Sequence, residues 1–360
     1  MRKSILAAAL IAAAAAGGVV VFFGFGGGKA PDARIAVLET DAPAKSKEIT
    51  IHFIPKNLGN PYFEAVSTGF YDAISELGDE TFKYVYTGPQ TAEPDSQIEF
   101  VKKAIEDKAD AIFIAANSST ALNAVFGEAR GAGIRVYSIN LDIPGSEAYR
   151  DAAIMPVNFN TIGGAQIELL GSQIGYEGPF AILSATADAP DQNTWIGLMK
   201  KALEENPKYA DMKLLEVVYG DDQPEKSASE TEALLSKYPD IKGIVVPSSV
   251  GIVAACRVVR ESGLSGKVKV TGLGLPSEMA EFVDDGTCEG FQLWNPPYEG
   301  YIGVYMVWAE KKEGFVPVPG AKFKARKLGE YTIQPNGQIL TLETPMLYDK
   351  SNIDRYSALF

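Results

Sequence analysis

The sequence predicts an α/β protein of two similar lobes, each a parallel β-sheet flanked by helices, with a ligand cleft between the lobes. From Glu48 onward, short apolar runs rich in β-branched residues alternate with helical patterns, which is typical of βαβ units on parallel sheets. A chain of 360 residues with 46% hydrophobic content can also bury a large core and favours two domains over one.

The first half of the folded region predicts one Rossmann-like lobe. Its strands span residues 49–54, 82–86, 111–115 and 134–139, and its helices span residues 61–77, 95–107 and 119–132. These strands are short and mostly apolar, as in a parallel sheet that helices cover on both faces.

The second half predicts another lobe of the same kind, after a boundary near residues 155–158. Its strands span residues 153–157, 180–184, 214–218, 243–246, 268–272 and 290–294, and its helices span residues 161–174, 193–205, 224–238, 250–262 and 277–284. A helix over residues 297–312 and short strands over residues 323–342 follow. If that helix packs back on the first lobe, the chain crosses between the lobes several times and forms a hinge.

The predicted domain organisation has two N-terminal segments and two discontinuous lobes. Residues 1–28 are a signal peptide or membrane anchor, and residues 29–47, rich in Ala, Pro and charge, are a linker. Residues 48–155 plus about 295–325 form the N-terminal lobe, and residues 156–294 plus about 326–360 form the C-terminal lobe.

The N-terminal residues predict export. Arg2 and Lys3 precede an apolar run from Ile5 to Phe25, and the alanine tract Ala12–Ala16 within it favours cleavage by a signal peptidase. The run is also long enough to cross a bilayer, which takes about 20 residues, so an uncleaved anchor stays open as the alternative. We therefore expect a periplasmic protein.

Charge and motif content argue against several classes of function. A net charge of -13 and the lack of a basic stripe argue against a nucleic-acid partner. The lone histidine, His52, lies within a predicted strand, and the chain has no Cys-x-x-Cys or Walker-type motif. We expect no cofactor, no metal site and no catalytic centre.

Two cysteines leave one structural question open. Cys256 lies on a predicted helix, and Cys288 comes just before a predicted strand. A disulfide between them is compatible with an exported protein, but two buried thiols are the favoured interpretation.

Polar side chains follow six of the predicted strands. The segments are residues 56–60, 117–119, 140–142, 191–193, 247–249 and 293–297. Each segment alone has residues that are common in turns and helix N-caps. Because open α/β sheets bind ligands beyond the carboxyl ends of their strands, the six together predict one uncharged, polyhydroxylated ligand held from both lobes.

The candidate binding residues come from these segments and the helix that follows the first one. They are Lys56, Asn60, Phe63, Asn117, Asn140, Asp142, Asp191, Gln192, Asn193, Pro247, Ser249 and Trp294. Core packing is favoured over ligand contact for Trp195, and both roles stay open for Trp294. The carboxylates Asp142 and Asp191 could in principle serve as the acid and base of a glycosidase, a remote alternative.

Several short motifs together resemble a known family over about residues 48–360. They are Pro55-Lys-Asn-Leu-Gly-Asn-Pro-Tyr-Phe63, Tyr86-Thr-Gly-Pro89, Ser184-Ala-Thr-Ala187, Asp191-Gln-Asn-Thr-Trp195, Val218-Tyr-Gly-Asp-Asp222 and Lys327-Leu-Gly-Glu-Tyr331. The chain resembles the type I periplasmic sugar-binding proteins of ABC importers, and within them the rhamnose-binding and autoinducer-2-binding branch. The resemblance implies two lobes joined by three hinge strands that close over a sugar and present it to a membrane permease.

The resemblance also implies roles for individual residues. Lys56 resembles the ligand-binding lysine of the autoinducer-2 receptors, and Asp191 with Gln192 resembles their Asp-Gln pair. Pro247 and Ser249 fall where those receptors offer a backbone carbonyl and an alanine. Asn60 and Phe63 resemble the asparagine and stacking ring of ribose-type binders.

One segment departs from the family pattern. The branch usually reads Thr-Trp-Asp-Ser-Asp where this chain has Ser138-Ile-Asn-Leu-Asp142, so Asn140 replaces a carboxylate that binds ligand. The ligand's identity therefore stays open.

The leading hypothesis is a monomeric, exported, non-enzymatic binding protein for a rhamnose-like or other deoxyhexose or pentose sugar, which delivers the sugar to an ABC permease. The alternatives are binding of autoinducer-2 and a membrane-anchored sugar sensor that signals to a kinase.

Overall fold

The computed structural model describes residues 48–143, 145 and 147–360. The predictions for residues 1–28 and 29–47 lie outside these described residues. No helix in the described part of the chain is both long enough and apolar enough to cross a membrane. Residues Glu48–Phe360 form one unit that contains two parallel sheets.

The first sheet is built from the N-terminal half of this unit. Its strands are β1 (Ile49–Ile54), β2 (Phe82–Tyr86), β3 (Ala111–Ile114), β4 (Arg135–Ile139) and β5 (Ala152–Met155), and its helices are α1 (Pro61–Leu77), α2 (Ile98–Glu106) and α3 (Asn123–Gly131). The strands lie parallel in the order β5, β4, β3, β1, β2. Strand β1 therefore has a hydrogen-bonded neighbour on each side, and nearly all its side chains are buried, which suits its apolar sequence.

The second sheet has four parallel strands in the order β7, β6, β8, β9. Its strands are β6 (Glu177–Ser184), β7 (Asp211–Tyr219), β8 (Gly243–Val246) and β9 (Lys269–Gly272), and its helices are α4 (Phe159–Ile174), α5 (Pro190–Glu205), α6 (Pro224–Lys237), α7 (Ser249–Glu261) and α8 (Pro276–Asp284). The two parallel sheets with their helices confirm the predicted α/β class.

The C-terminal elements contribute to both halves of the fold. They are β10 (Gly290–Leu293), α9 (Pro296–Lys312), β11 (Lys322–Lys324), β12 (Glu330–Thr332), β13 (Gln338–Leu340), β14 (Met346–Asp349) and α10 (Ile353–Tyr356). β10 pairs with β14 and β11 with β12, both antiparallel. β13 runs parallel to β5 as the sixth strand of the first sheet.

The pairing of β13 differs from the predicted domain division. That division assigned residues from about 326 to 360 to the second lobe, whereas β13 extends the first sheet beyond β5. Three linking segments, residues 156–158, 294–295 and 341–345, therefore join elements of the two halves. β14 and α10 are additional elements beyond those predicted from the sequence.

Both cysteines are buried free thiols in the structure. Cys256 lies on α7 and Cys288 precedes β10, and neither is exposed to solvent. Burial, together with the neighbouring Cys288, raises the pKa of the Cys256 thiol well above its usual value. Low thiolate content makes a buried thiol unreactive.

Two glycines let α9 pack closely against α1. A Cβ atom at Gly69 would lie 1.8 Å from the carbonyl oxygen of Pro297, and one at Gly300 would lie 2.4 Å from that of Val66. Atoms do not approach this closely, so only glycine allows the two backbones to meet. The crossing brings the first turn of α9, with Glu299, to the side chain of Tyr62 on α1.

We expect Gly300→Ala to lower the free energy of unfolding by about 1–3 kcal/mol, since the added methyl group must displace backbone atoms of α1. Urea denaturation followed by circular dichroism measures this change. Gly127→Ala is the control, because Gly127 is an exposed position of α3 where a Cβ would meet nothing within 4 Å. Alanine there should be neutral or stabilising, and equal losses in both variants would contradict the close-approach argument.

Candidate functional site

The turn after β1 carries polar groups into the cleft. Asn60 caps α1 by accepting a hydrogen bond from the Tyr62 backbone N–H at 3.1 Å, and Pro61 takes the first helical position. The Asn117 side-chain amide donates to the backbone carbonyl of Lys56 at 2.8 Å. The backbone of Lys56 is thereby held while its ammonium extends toward the second lobe.

The N-terminal turn of α5 faces Lys56 from that lobe. The helix begins at Pro190, so Asp191 and Gln192 lie in its first turn rather than in the predicted loop. A carboxylate is favoured there by the helix dipole. Gln192 Oε1 accepts hydrogen bonds from Ser184 Oγ and the Ala185 backbone N–H, both at 2.6 Å, which anchors the turn to the end of β6.

A buried ion pair joins the two lobes. Lys56 Nζ lies 2.7 Å from both carboxylate oxygens of Asp191. The two side chains are only 5% and 3% exposed, respectively. Each charge compensates the desolvation of the other, so removal of one partner leaves an uncompensated buried charge.

A second buried network surrounds the Tyr62 hydroxyl. Its oxygen lies 2.7 Å from Trp294 Nε1, 2.7 Å from Asn140 Oδ1 and 2.5 Å from Glu299 Oε1. Asn140 has a left-handed backbone with a φ of 70°, a conformation that asparagine tolerates better than most residues. Its side-chain amide also lies 3.5 Å from Asp191 Oδ2.

The Tyr62 hydroxyl has one proton and three hydrogen-bond neighbours. Its oxygen accepts from the indole N–H of Trp294, and its proton can be donated to Glu299 Oε1 or to Asn140 Oδ1. Burial raises the pKa of Glu299 to about 8, so this carboxyl group binds its proton more tightly than an exposed carboxyl group does.

A cavity at the lobe junction collects these groups. It is lined by Lys56, Asn60, Tyr62, Phe63, Asn140, Asp191, Gln192, Trp195, Asp222, Pro247, Ser248, Ser249, Leu273, Leu293 and Trp294. The centres of water molecules have about 50 Å³ of room in it. One buried water needs roughly 10–15 Å³, so the cavity admits several water-sized polar groups.

Nine predicted site residues line this cavity. They are Lys56, Asn60, Phe63, Asn140, Asp191, Gln192, Pro247, Ser249 and Trp294. Trp294 both lines the cavity and packs in the core, since its side chain is buried and its indole N–H is bound to Tyr62.

Three predicted site residues lie outside the cavity lining. Asn117 instead holds the Lys56 loop through its side-chain amide. Asp142 pairs with Arg150, whose Nε and Nη2 each donate at 2.6 Å. Asn193 has an exposed side chain that donates to the Ala187 carbonyl at 2.8 Å. All three groups have protein partners that local sequence does not identify.

The remote glycosidase alternative required Asp142 and Asp191 to act as a pair. Only Asp191 lines the cavity, and it is bound to Lys56. Asp142 also accepts a hydrogen bond from the Gln338 side chain at 2.7 Å, so its carboxylate serves the first lobe. The two carboxylates are therefore not assembled around one bond to be cleaved.

Several residues that line the cavity are absent from the list of candidate binding residues. Tyr62, Asp222, Ser248, Leu273 and Leu293 line it, and Trp195, assigned to the core, both lines it and packs edge-on against Trp294 at 6.1 Å between ring centroids. Ser248 lies within the predicted segment 247–249, and Asp222 follows β7 at the end of one of the family motifs, so the strand-end rule could have singled out both. Tyr62 lies in the first turn of α1, directly after the first predicted segment, whereas no local pattern distinguishes Glu299 from core.

We expect Tyr62→Phe to lower the free energy of unfolding by about 1–3 kcal/mol, because Trp294 Nε1 and Asn140 Oδ1 both lose a buried partner. Thermal unfolding by calorimetry measures the change. Tyr86→Phe is the control, since the Tyr86 hydroxyl bonds Glu64 near the surface at 3.0 Å. A loss no larger than that of the control would contradict the network.

Protonation of Glu299 predicts a pH dependence of stability. Its folded-state pKa of about 8 lies above the ordinary value of 4.5, so the folded state binds the proton more tightly. Its contribution to stability is therefore present below pH 4.5 and is lost as the pH rises through 8. We expect Glu299→Gln to flatten the decline in melting temperature between pH 5 and pH 8.5, and an unchanged decline would contradict the assignment.

Comparison with known proteins supports the same architecture. A solute-binding protein of an ABC transporter from Clostridium phytofermentas, solved with bound L-rhamnose, is 33% identical and has a TM-score of 0.81, with 88% of this chain and 100% of that chain covered. A sugar ABC transporter protein from Actinomyces odontolyticus is 37% identical with a TM-score of 0.68, over 86% and 97% of the two chains.

A third structure shares the fold. LsrB from Clostridium saccharobutylicum in complex with AI-2 is 23% identical with a TM-score of 0.79, over 86% of this chain and 99% of that chain. Residues 51–314 match the family described as the periplasmic binding protein domain. The resemblance predicted from the motifs is confirmed: this chain belongs to the periplasmic binding protein family.

Proposed function

We propose that this protein captures a small neutral sugar, a rhamnose-like deoxyhexose or a pentose, and delivers it to an ABC permease. The observation that carries the proposal is the Lys56–Asp191 pair, which places one charged group from each lobe in a single cavity. The L-rhamnose bound to the 33% identical solute-binding protein supports this class of ligand.

The chemistry of the lining suits a sugar. Lys56 and Asp191 supply a charged donor and a charged acceptor, which form short hydrogen bonds to hydroxyl groups. Phe63, Trp195 and Trp294 supply apolar ring surface for the C–H face of a sugar. We propose the nine predicted residues that line the cavity as the ligand contacts.

Contacts to both lobes give the ligand control over closure. A ligand shifts the open and closed populations only through a difference in its affinity for them. A sugar that bonds Lys56 of the first lobe and Asp191 of the second makes its full set of contacts only in the closed form. We propose that residues 156–158, 294–295 and 341–345 are the hinge and that closure is what the permease recognises.

Membership of the family implies an extracytoplasmic location. We propose that residues 1–28 are a signal peptide and that residues 29–47 link it to the binding domain. The mature protein is proposed to act as a monomer and without catalysis.

A melting-temperature screen with pentoses, hexoses, deoxyhexoses and polyols tests the function. We expect at least one neutral sugar to raise the melting temperature, because a ligand at about 100 times its dissociation constant adds about 2.7 kcal/mol to the free energy of unfolding. A parallel sample with autoinducer-2 tests the alternative ligand. Failure of every neutral sugar would overturn the proposal.

Calorimetric titration of two variants then tests the site. We expect Lys56→Ala and Asp191→Ala to weaken binding of the best sugar at least roughly tenfold, a loss typical of a charged hydrogen bond. Lys322→Ala is the control, because its 2.9 Å pair with Glu330 is exposed. Wild-type affinity in both cavity variants would remove the pair from the site.

A further inference from the structure

Asp222 is a buried carboxylate that the sequence-based site does not include. It lies in the turn between β7 and α6, and the residue is 8% exposed. It lines the cavity beside Lys56 and Asp191. Its burial and its place in the cavity wall make Asp222 a candidate for contact with the ligand.

No described cation forms an ion pair with Asp222. Ser248 Oγ donates to its Oδ1 at 2.7 Å, the one hydrogen bond that the carboxylate accepts among the described residues. The Lys56 ammonium is already bonded to both oxygens of Asp191. Burial raises the pKa of Asp222, and the attraction of the nearby Lys56 ammonium only partly opposes that shift. An unpaired buried charge destabilises a fold, so its presence indicates another role.

The protein holds this carboxylate in place through several contacts. Asp221 and Asp222 both have left-handed backbones, with φ values of 53° and 52°. The turn is tied to the end of β6, because Gly220 N–H donates to the Ser184 carbonyl at 2.9 Å. Ser248 is itself fixed, since its Oγ also caps α7 by accepting from the Gly251 N–H at 3.0 Å. The Asp222 side chain is therefore preorganised.

We infer that Asp222 is a specificity-determining residue of the cavity. Its second carboxylate oxygen accepts a hydrogen bond from a ligand hydroxyl group, and its charge repels sugars that carry an acidic group. Two carboxylates, Asp191 and Asp222, face one ammonium, Lys56, so the lining has more charged acceptors than donors. A neutral polyol donates hydrogen bonds from its hydroxyl groups to these carboxylates, whereas the carboxylates repel an anionic sugar. This inference rests on the proposed sugar-binding function.

Asp222→Asn tests the role with little change of shape. Asparagine tolerates the left-handed backbone and can still accept from Ser248, so the variant removes mainly the charge. Asp221→Asn is the matched control, because Asp221 shares the backbone conformation but pairs with Lys226 at the surface, at 2.5 Å. Titration calorimetry uses the neutral sugar with the largest melting shift, and galacturonate serves as the anionic probe.

We expect Asp222→Asn to weaken sugar binding at least roughly tenfold and to raise the melting temperature without added sugar by about 2 °C, since it removes an unpaired buried charge. Asp221→Asn should bind within about twofold of wild type, and galacturonate should not shift the wild-type melting temperature.

Three results would overturn the inference while the proposed function stands. They are wild-type affinity in Asp222→Asn, a lower melting temperature in that variant, or a melting shift of the wild type with galacturonate. If no neutral sugar binds the wild type, the proposed function fails first, and the inference that rests on it fails with it.

Discussion

Parallel β-strands end at one edge of their sheet, and the polar groups of the cavity are placed by that constraint. The turns after β1, β6, β7 and β8 each lead directly into a helix, so their side chains meet at the lobe junction. Helices α1, α5 and α6 all carry proline in their first turn. The missing N–H of proline loses no hydrogen bond there, because the first N–H groups of a helix have no acceptor within the helix. The direction and order of the strands therefore determine where the cavity lies, and the individual residues determine its chemistry.

Three buried carboxylates in or next to the cavity lie in three different environments. Lys56 and Asp191 compensate each other directly, at 2.7 Å. Glu299 avoids a charge, because burial raises its pKa to about 8. Asp222 accepts one hydrogen bond, from the Ser248 hydroxyl, and has no ion-pair partner among the residues that the structure describes. Electrostatic interactions are stronger in a cavity of low dielectric constant than at the surface, so each of these environments has a larger effect on stability and binding.

The lobe crossing and the cavity share residues. Trp294 follows β10 at the segment where the chain returns to the first half, and its indole N–H reaches the Tyr62 hydroxyl on α1. The close approach of α1 and α9 at Gly69 and Gly300 then sets Glu299 against the same hydroxyl. A change in the angle between the lobes would thus move Trp294 and alter the cavity wall, as hinge closure around a ligand requires.

The sequence by itself determined the local elements and the edge where the polar groups gather. Apolar runs predicted β1 and β2 over their observed bounds, and proline with an asparagine cap predicted the start of α1. The tertiary structure alone decided which polar groups pair with one another: Asp191 meets Lys56, while Asp142 is taken by Arg150. It also decided that β13 joins the first sheet. Periodicity and turn chemistry act between near neighbours in the chain, whereas ion pairs and strand partners depend on groups brought together from distant positions.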